Sequence, residues 1–187
     1  MRFILVADKV GLIVAIGEWV ARKTTVRLRR WREAGLDHFP VTTNVSAVQF
    51  KSRRLLEVLP AAVNQNGLKP SDVEIELTET ALVIEGDISM STRCKLATSG
   101  FRLVVDDFGT VYSNLGYLKR FNIGKATIDQ FFVRDITTDP NDAAIRRSTI
   151  SLAKSFGTRV ATEGVEHVAR LDFLLKAGCE EAQCHLL

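Results

Sequence analysis

Amphipathic stretches of helix-forming residues alternate along this chain with short apolar runs, and a glycine stands between the two. The stretches end at five glycines: Gly35, Gly67, Gly100, Gly157 and Gly178. Glycine readily adopts the left-handed conformation that terminates a helix. The pattern therefore predicts five helices of similar design, each followed by a strand.

Six strands are predicted from the runs rich in Val, Ile, Thr and Phe, at residues 39–45, 73–78, 101–107, 125–129, 158–163 and 182–186. Asp139 followed by Pro140 predicts an N-cap and first turn for a helix that ends at Phe156. Strands joined by crossover helices run parallel, which indicates either a closed α/β barrel or an open doubly wound sheet.

Length and charge narrow the class of protein. The chain has 187 residues, 46% of them hydrophobic, which favours a single domain over residues 1–187. Its net charge of +3 is not that of a polyanion binder, so no nucleic-acid partner is expected. Six basic residues lie within 22–32, beside Val26, Leu28 and Trp31. We interpret this run as the solvent face of an amphipathic helix rather than a docking patch.

The cysteines and the apolar segments near the start indicate the cellular compartment in which the protein is expected. Cys94, Cys179 and Cys184 are odd in number and lack metal-ligand spacing, which predicts neither disulfides nor a zinc site and favours the reducing cytoplasm. Asp8, Lys9 and nearby Gly11 interrupt the early apolar segments, so neither a signal peptide nor a membrane span fits, and no membrane partner is expected.

Acidic and amide residues stand at or near the ends of five predicted strands: Asn44, Glu76, Asp106 with Asp107, Asp129 and Glu163. One acid at a strand end is ordinary, because carboxylates favour the start of the next helix. Five in succession favour a closed barrel, where strand ends converge on one face. Carboxylates crowd there only when a cation or raised pKa values offset their repulsion, which predicts a divalent metal, and oxygen-only ligands predict Mg²⁺ or Mn²⁺.

These residues fall in recognisable motifs: NVSAVQF at 44–50, ELTET at 76–80, DDFGT at 106–110, TID at 127–129, EGVE at 163–166, and Gln183. In order and approximate spacing they resemble the EAL domain, whose members hydrolyse cyclic di-GMP to the linear dinucleotide. The resemblance runs from about Phe3 to the last residue. It implies a parallel (β/α) barrel of TIM type.

The resemblance also implies roles for individual residues. Asn44, Glu76 and Asp106 resemble ligands of one metal, and Asp107 resembles a ligand of a second metal or the base that deprotonates the attacking water. Glu163 and Asp129 resemble carboxylates at that second metal. Gln183 resembles a polar group lining the site, and Glu79 the residue that braces the loop after Asp107.

The sequence departs from the family pattern in several places. The Glu-Ala-Leu strand precedes the segment at which this chain begins, so we expect about six of eight strands, one missing metal ligand and no closing helix. Thr127 replaces a family lysine that steadies the phosphate charge. Lys125 starts about 6 to 7 Å further from the strand end, and we interpret it as a charge at the base or rim. Val111 replaces a glycine, and Cys184 with His185 replaces Gly-Tyr.

Three functions follow from this comparison. The leading one is a degenerate EAL domain, inactive or impaired, with residual metal or cyclic di-GMP binding or a role in protein contacts. The second is an active phosphodiesterase completed by oligomerisation, and the third is a folded gene fragment without selected function. Unpaired strand edges seek partners, so a homodimer or larger oligomer is expected.

Overall fold

The computed structural model describes residues 2–36, 39–83, 87–109 and 123–184. The chain divides into two compact units, which are described separately. Unit 1 comprises Met1–Leu77 and Ile84–Leu103, and unit 2 comprises Thr78–Val83 and Val104–Leu187. Val111 and His185 lie outside the described residues.

Helices and strands alternate along most of the chain. The described helices are α1 (Arg2–Lys9), α2 (Leu12–Glu33), α3 (Ala47–Lys51), α4 (Arg53–Gln65), α5 (Glu79–Val83), α6 (Asp87–Thr98), α7 (Pro140–Ser155) and α8 (Val168–Ala177). The strands are β1 (Val41–Asn44), β2 (Val73–Thr78), β3 (Arg102–Asp106), β4 (Lys125–Ile128), β5 (Arg159–Val165) and β6 (Glu181–Cys184). Two short 3₁₀ turns, Pro70–Asp72 and Gln130–Phe132, precede β2 and follow β4.

Unit 1 is built on a parallel pair of strands and a helical layer. β1 pairs with β2 from Val41 opposite Val73 to Asn44 opposite Glu76. β2 is buried almost throughout, as expected of a strand covered on both faces. α2 packs on α4, and each contributes an apolar stripe to the core, such as Leu28 of α2.

Unit 2 carries the remaining strand pairs, again parallel and side by side in chain order. Val104 of β3 lies opposite Lys125 of β4, which in turn lies opposite Arg159 of β5, and Ala161 of β5 lies opposite Glu181 of β6. α7 and α8 pack on β5 and on each other. The centres of β3, β4 and β5 are buried, so the core of this unit lies between these strands and its helices.

The predicted helix ends are confirmed. All five glycines that close the predicted helices have φ between 66° and 96°, the left-handed region. Asp139 caps α7, because its side chain accepts a 2.7 Å hydrogen bond from the N–H of Asn141, with Pro140 in the first turn. The basic run at 22–32 lies on α2, as the amphipathic pattern predicts, with Leu28 buried and Arg22 and Arg30 exposed.

The strand boundaries need small corrections. The predicted strand at 39–45 begins only at Val41, because Pro40 has no N–H to donate to a ladder. The predicted strand at 182–186 begins one residue earlier, at Glu181. Within the described parts of the chain, no helix is both long enough and apolar enough to cross a bilayer.

Candidate metal site at the strand ends

A sharp turn after β3 carries the two adjacent aspartates. Asp106 ends the strand, and its carboxylate accepts a 2.9 Å hydrogen bond from the N–H of Asp107. Asp107 itself has φ 56°, a conformation uncommon for a residue other than glycine. The next residue, the fully buried Phe108, donates its N–H to the carbonyl of Thr127 at 3.0 Å. The hydrogen bond from Phe108 therefore fixes the turn to β4. The left-handed backbone at Asp107 is strained, and such strain is found at functional sites.

Glu79 lies against this turn. Its carboxylate accepts a 3.0 Å hydrogen bond from the N–H of Gly109, and the residue is only 1% exposed. Such a bond between a buried carboxylate and a backbone N–H fixes the position of the backbone at Gly109. The contact is the one that a bracing role requires.

A β-bulge presents Glu163. Thr162 lies opposite Ala182 and Val165 opposite Cys184, so Glu163 and Gly164 together face the single residue Gln183. A bulge of this kind bends the strand and redirects its side chains. Gln183 is exposed on β6.

Gly164 makes the bulge compatible with the turn after β4. Its φ is 65°, and a Cβ built on it would lie 2.3 Å from the Cβ of Gln130. Beside Gln130, Asp129 caps the 3₁₀ turn by accepting a 2.7 Å hydrogen bond from the N–H of Phe131. Only glycine permits this close approach of the Glu163 segment to the Asp129 turn.

Four carboxylates of unit 2 lie close enough for their charges to interact. Burial raises the pKa of Asp106 to about 6, opposed by the hydrogen bond from Asp107 and reinforced by the charges of Asp107, Glu163 and Asp129. Burial and the charge of Asp129 raise the pKa of Asp107. Burial, followed by the charges of Asp129 and Asp107, raises the pKa of Glu163. Unit 2 therefore brings these four acids together.

The four acids suit a divalent cation in chemistry and charge. All their donors are oxygens, the ligands that Mg²⁺ and Mn²⁺ prefer, and a cation would offset the repulsion between their charges. Among the described residues, however, no group of three or more His, Cys, Asp or Glu side chains is already arranged to hold a metal ion. The negative charge of the acids would attract a cation, but their side chains are not arranged as a coordination shell.

Unit 1 carries the two other predicted ligands side by side. Asn44 and Glu76 are partners across β1 and β2, and the carbonyl of Glu76 accepts a 2.9 Å hydrogen bond from the N–H of Val45. The sequence interpretation missed a second buried acid, Glu74, which is 0% exposed and accepts a 3.3 Å hydrogen bond from Thr42. The period of two along β2 gave the signal, because it places residues 74 and 76 on one face.

Thr127 and Lys125 occupy the stretch of β4 where the resemblance implies a lysine. Thr127 is 4% exposed. Lys125, the first residue of the strand, lies 3.3 Å from the carboxylate of Glu181, which also binds Arg159 at 2.7 Å. This ion pair with an acid at the start of β6 is compatible with the interpretation of Lys125 as a charge at the base or rim, which stays a prediction.

Known proteins resemble this chain along its whole length. It is 35% identical over 186 residues to the bifunctional diguanylate cyclase/cyclic di-GMP phosphodiesterase MucR of Pseudomonas aeruginosa, covering 100% of this chain and 27% of that protein. The chain thus spans about a quarter of that relative.

Solved structures resemble it as well. The structure described as the PaMucR phosphodiesterase, c-di-GMP complex, matches with a TM-score of 0.94 and 35% identity over 100% of this chain and 75% of that one. The manganese/cy-diGMP complex of Klebsiella pneumoniae BlrP1 matches with a TM-score of 0.74 and 28% identity over 89% of this chain and 43% of that one. The predicted fold class, six parallel strands of an α/β barrel, is confirmed.

The family described as the EAL domain matches residues 1–186. The family predicted from the motifs is confirmed, and the chain belongs to the EAL domain family of cyclic di-GMP signalling proteins.

Proposed function

We propose that this chain is an EAL domain whose cyclic di-GMP phosphodiesterase activity is lost or strongly reduced. The observation that supports the proposal most is the combination of Thr127 at the family's lysine position with a Lys125 that pairs with Glu181 at 3.3 Å. A buried threonine hydroxyl brings no positive charge to the end of β4. Lys125 is paired with Glu181, and it lies two residues before Thr127 along β4.

The missing lysine ammonium at position 127 matters because negative charge develops on the phosphate oxygens as the phosphodiester is cleaved. Removing one group that stabilises such charge costs about 10² to 10³ in rate in well-studied hydrolases. A hydroxyl can donate one hydrogen bond but cannot replace an ammonium group. The chain would therefore retain Asp106, Asp107, Asp129 and Glu163 and lack one electrostatic stabiliser of an EAL site.

The remaining residues still suit a metal and a nucleotide. Asp106, Asp107, Asp129 and Glu163 would hold Mg²⁺ or Mn²⁺. The ligand roles of Asn44 and Glu76 rest on the resemblance alone. A bound divalent ion lowers the pKa of water and balances charge on phosphate oxygens. Asp107 would orient or deprotonate that water, Glu79 would hold the loop behind it, and Gln183 would line the site beside Glu163.

Hydrolysis is tested with purified protein, cyclic di-GMP and Mn²⁺, with the linear dinucleotide as the readout. The Asp107→Asn variant is the matched control, because asparagine tolerates the left-handed backbone of this position while lacking the carboxylate. We expect the wild type to form no more product than this variant. Turnover of about 1 per second that Asp107→Asn abolishes would refute the proposal.

Residual binding is a separate question, answered by calorimetric titration with cyclic di-GMP, with and without Mg²⁺. We expect weak binding that strengthens when Mg²⁺ is present, because the cation neutralises the four acids that otherwise repel the phosphates. Binding that is unchanged by Mg²⁺ would show that the acids hold no cation in the complex.

A second candidate is an active phosphodiesterase completed by a neighbouring chain. It is favoured by the acids of unit 2, because raised pKa values such as those of Asp106, Asp107 and Glu163 are typical of functional sites. This candidate requires a homodimer or larger oligomer. Sedimentation at micromolar concentration separates the two: a stable monomer without activity fits the first, and an active oligomer fits the second.

A further inference from the structure

The solvent face of α2 is not purely polar. Three large apolar residues recur along it at intervals of seven, Leu12, Trp19 and Val26, with 52%, 61% and 39% of their surface exposed. A spacing of seven keeps side chains on nearly the same side of a helix. The opposite side packs on unit 1 through Ile13, Leu28 and their buried neighbours. The outward face therefore carries an apolar stripe that the protein's core does not use.

Basic side chains surround this stripe. α2 contains six basic residues and two acidic ones, although the whole chain has a net charge of only +3. Both acids are engaged, Glu18 by Arg54 and Glu33 by Arg29, each at 2.7 Å. By contrast, Lys23, Arg27 and Arg30 are exposed and take part in no ion pair within the described ranges of the chain.

Two of these cations lie over aromatic rings. The ammonium of Lys23 is 5.9 Å from the ring centre of Trp19, and the guanidinium of Arg27 is 6.0 Å from that of Trp31. Lys23 and Trp19 thus form one surface element with an apolar body and a positive charge. Residues of this kind concentrate at the boundary between lipid headgroups and water.

We propose that this face of α2 docks the protein on an anionic lipid bilayer. Trp19 would sit at the headgroup level with Leu12 and Val26 beside it, while Lys23 and Arg30 contact lipid phosphates. Helices that lie on membranes combine Trp and aliphatic residues with flanking Lys and Arg in this way. The helix is about 33 Å long, and a bilayer surface can meet the whole of it. The proposal does not depend on whether the site hydrolyses cyclic di-GMP.

The chemistry of the face favours a bilayer over other acidic partners. A nucleic acid would use the cations and Trp19, but exposed Leu12 and Val26 gain nothing from a phosphate backbone. A second copy of the chain would bring two basic faces together, which repel. Only an apolar interior behind an anionic surface satisfies both parts of the face.

The test uses the whole chain and sedimentation with vesicles of phosphatidylcholine, with or without about one-third phosphatidylglycerol. We expect binding to the anionic vesicles only, weakening as salt is raised. The double variant Lys23→Glu/Arg30→Glu should lower the partition coefficient by at least about tenfold, because each basic residue contributes about fivefold. The matched control is Lys95→Glu/Lys176→Glu, which changes the net charge equally at exposed positions on α6 and α8 and should bind almost as wild type.

A second readout does not depend on the charge variants. In a Trp31→Phe background Trp19 is the only tryptophan, and its fluorescence should shift to shorter wavelength with anionic vesicles. No binding to these vesicles at low salt, or equal loss in the Lys23 and Lys95 double variants, would overturn the proposal. So would tighter binding to duplex DNA or to an acidic helical peptide than to the vesicles at the same salt.

Discussion

At the scale of single residues, the site is defined by carboxylates whose charge is costly in the absence of a cation. Asp106 shows this most clearly, because burial raises its pKa to about 6. The native state holds its proton more tightly than the unfolded chain does. Asp106 therefore lowers the free energy of unfolding as the pH rises from about 4 to about 6, and the loss persists above pH 6.

Substitution Asp106→Asn should remove this pH dependence. Asparagine keeps the oxygen that accepts the hydrogen bond from Asp107 but carries no charge. Without divalent ions we expect the variant to gain about 1 to 2 kcal/mol at pH 7.5, or about 3 to 6 °C in Tm, and almost nothing at pH 4. Thermal unfolding at both pH values measures this. The control is Asp172→Asn, at an exposed carboxylate on α8, and an identical profile for both variants would contradict the account.

Substitution Gly164→Ala should disrupt the bulge that presents Glu163. The new Cβ would meet the Cβ of Gln130 at 2.3 Å and also requires a left-handed backbone. We expect a loss of about 2 to 4 kcal/mol in the free energy of unfolding. Gly157→Ala, at φ 74° with no atom within 4 Å, should cost only about 1 kcal/mol for its backbone. Equal losses in urea unfolding would show that the contact with Gln130 is unimportant.

Sequence predicted the residue types of the site better than their setting. The acids near the strand ends follow from the strand pattern, whereas the ion pair between Lys125 and Glu181 was not predicted. The strained turn at Asp107 and the bulge at Glu163 were not predictable from periodicity, because each depends on a close approach between segments distant in sequence. Buried Glu74 was not predicted, because it lies outside the motif that begins at Glu76.

At the scale of helices and strands, local signals determined most boundaries. Glycine in the left-handed region ended each predicted helix, since it satisfies the last carbonyls at little steric cost. Short elements without such signals were missed, among them α3 and α5, which are only five residues long. Strand ends were less certain than helix ends, because pairing with a neighbour, rather than local chemistry, decides where a strand stops.

The N-cap of α7 offers a test at this scale. Asp139→Ala removes the acceptor that binds the N–H of Asn141 and should cost about 1 kcal/mol in the free energy of unfolding, measured in urea. Asp139→Asn retains an oxygen acceptor and should cost only a few tenths of that. If the Asn variant were destabilised as strongly as the Ala variant, the hydrogen bond could not be the cause.

At the scale of the whole molecule, the chain has the fold of the EAL family, and the proposed loss of activity concerns only the chemistry at one strand end. Similarity to an EAL phosphodiesterase structure extends over the full chain at a TM-score of 0.94, so threonine at position 127 is compatible with the family fold. Fold and function have separate physical requirements here. The fold depends on buried apolar strands, whereas hydrolysis depends on a few charges at their ends.

The central claim is that the site lacks the positively charged side chain needed for hydrolysis because position 127 is threonine. The Thr127→Lys variant tests this claim most directly. With cyclic di-GMP and Mn²⁺, we expect the wild type to form product no faster than the Asp107→Asn variant. The Thr127→Lys variant should form product at least about tenfold faster than the wild type. The gain should vanish when Asp107→Asn is added to the lysine variant. A wild type that already turns over at about 1 per second, or a lysine variant with no gain, would contradict the claim.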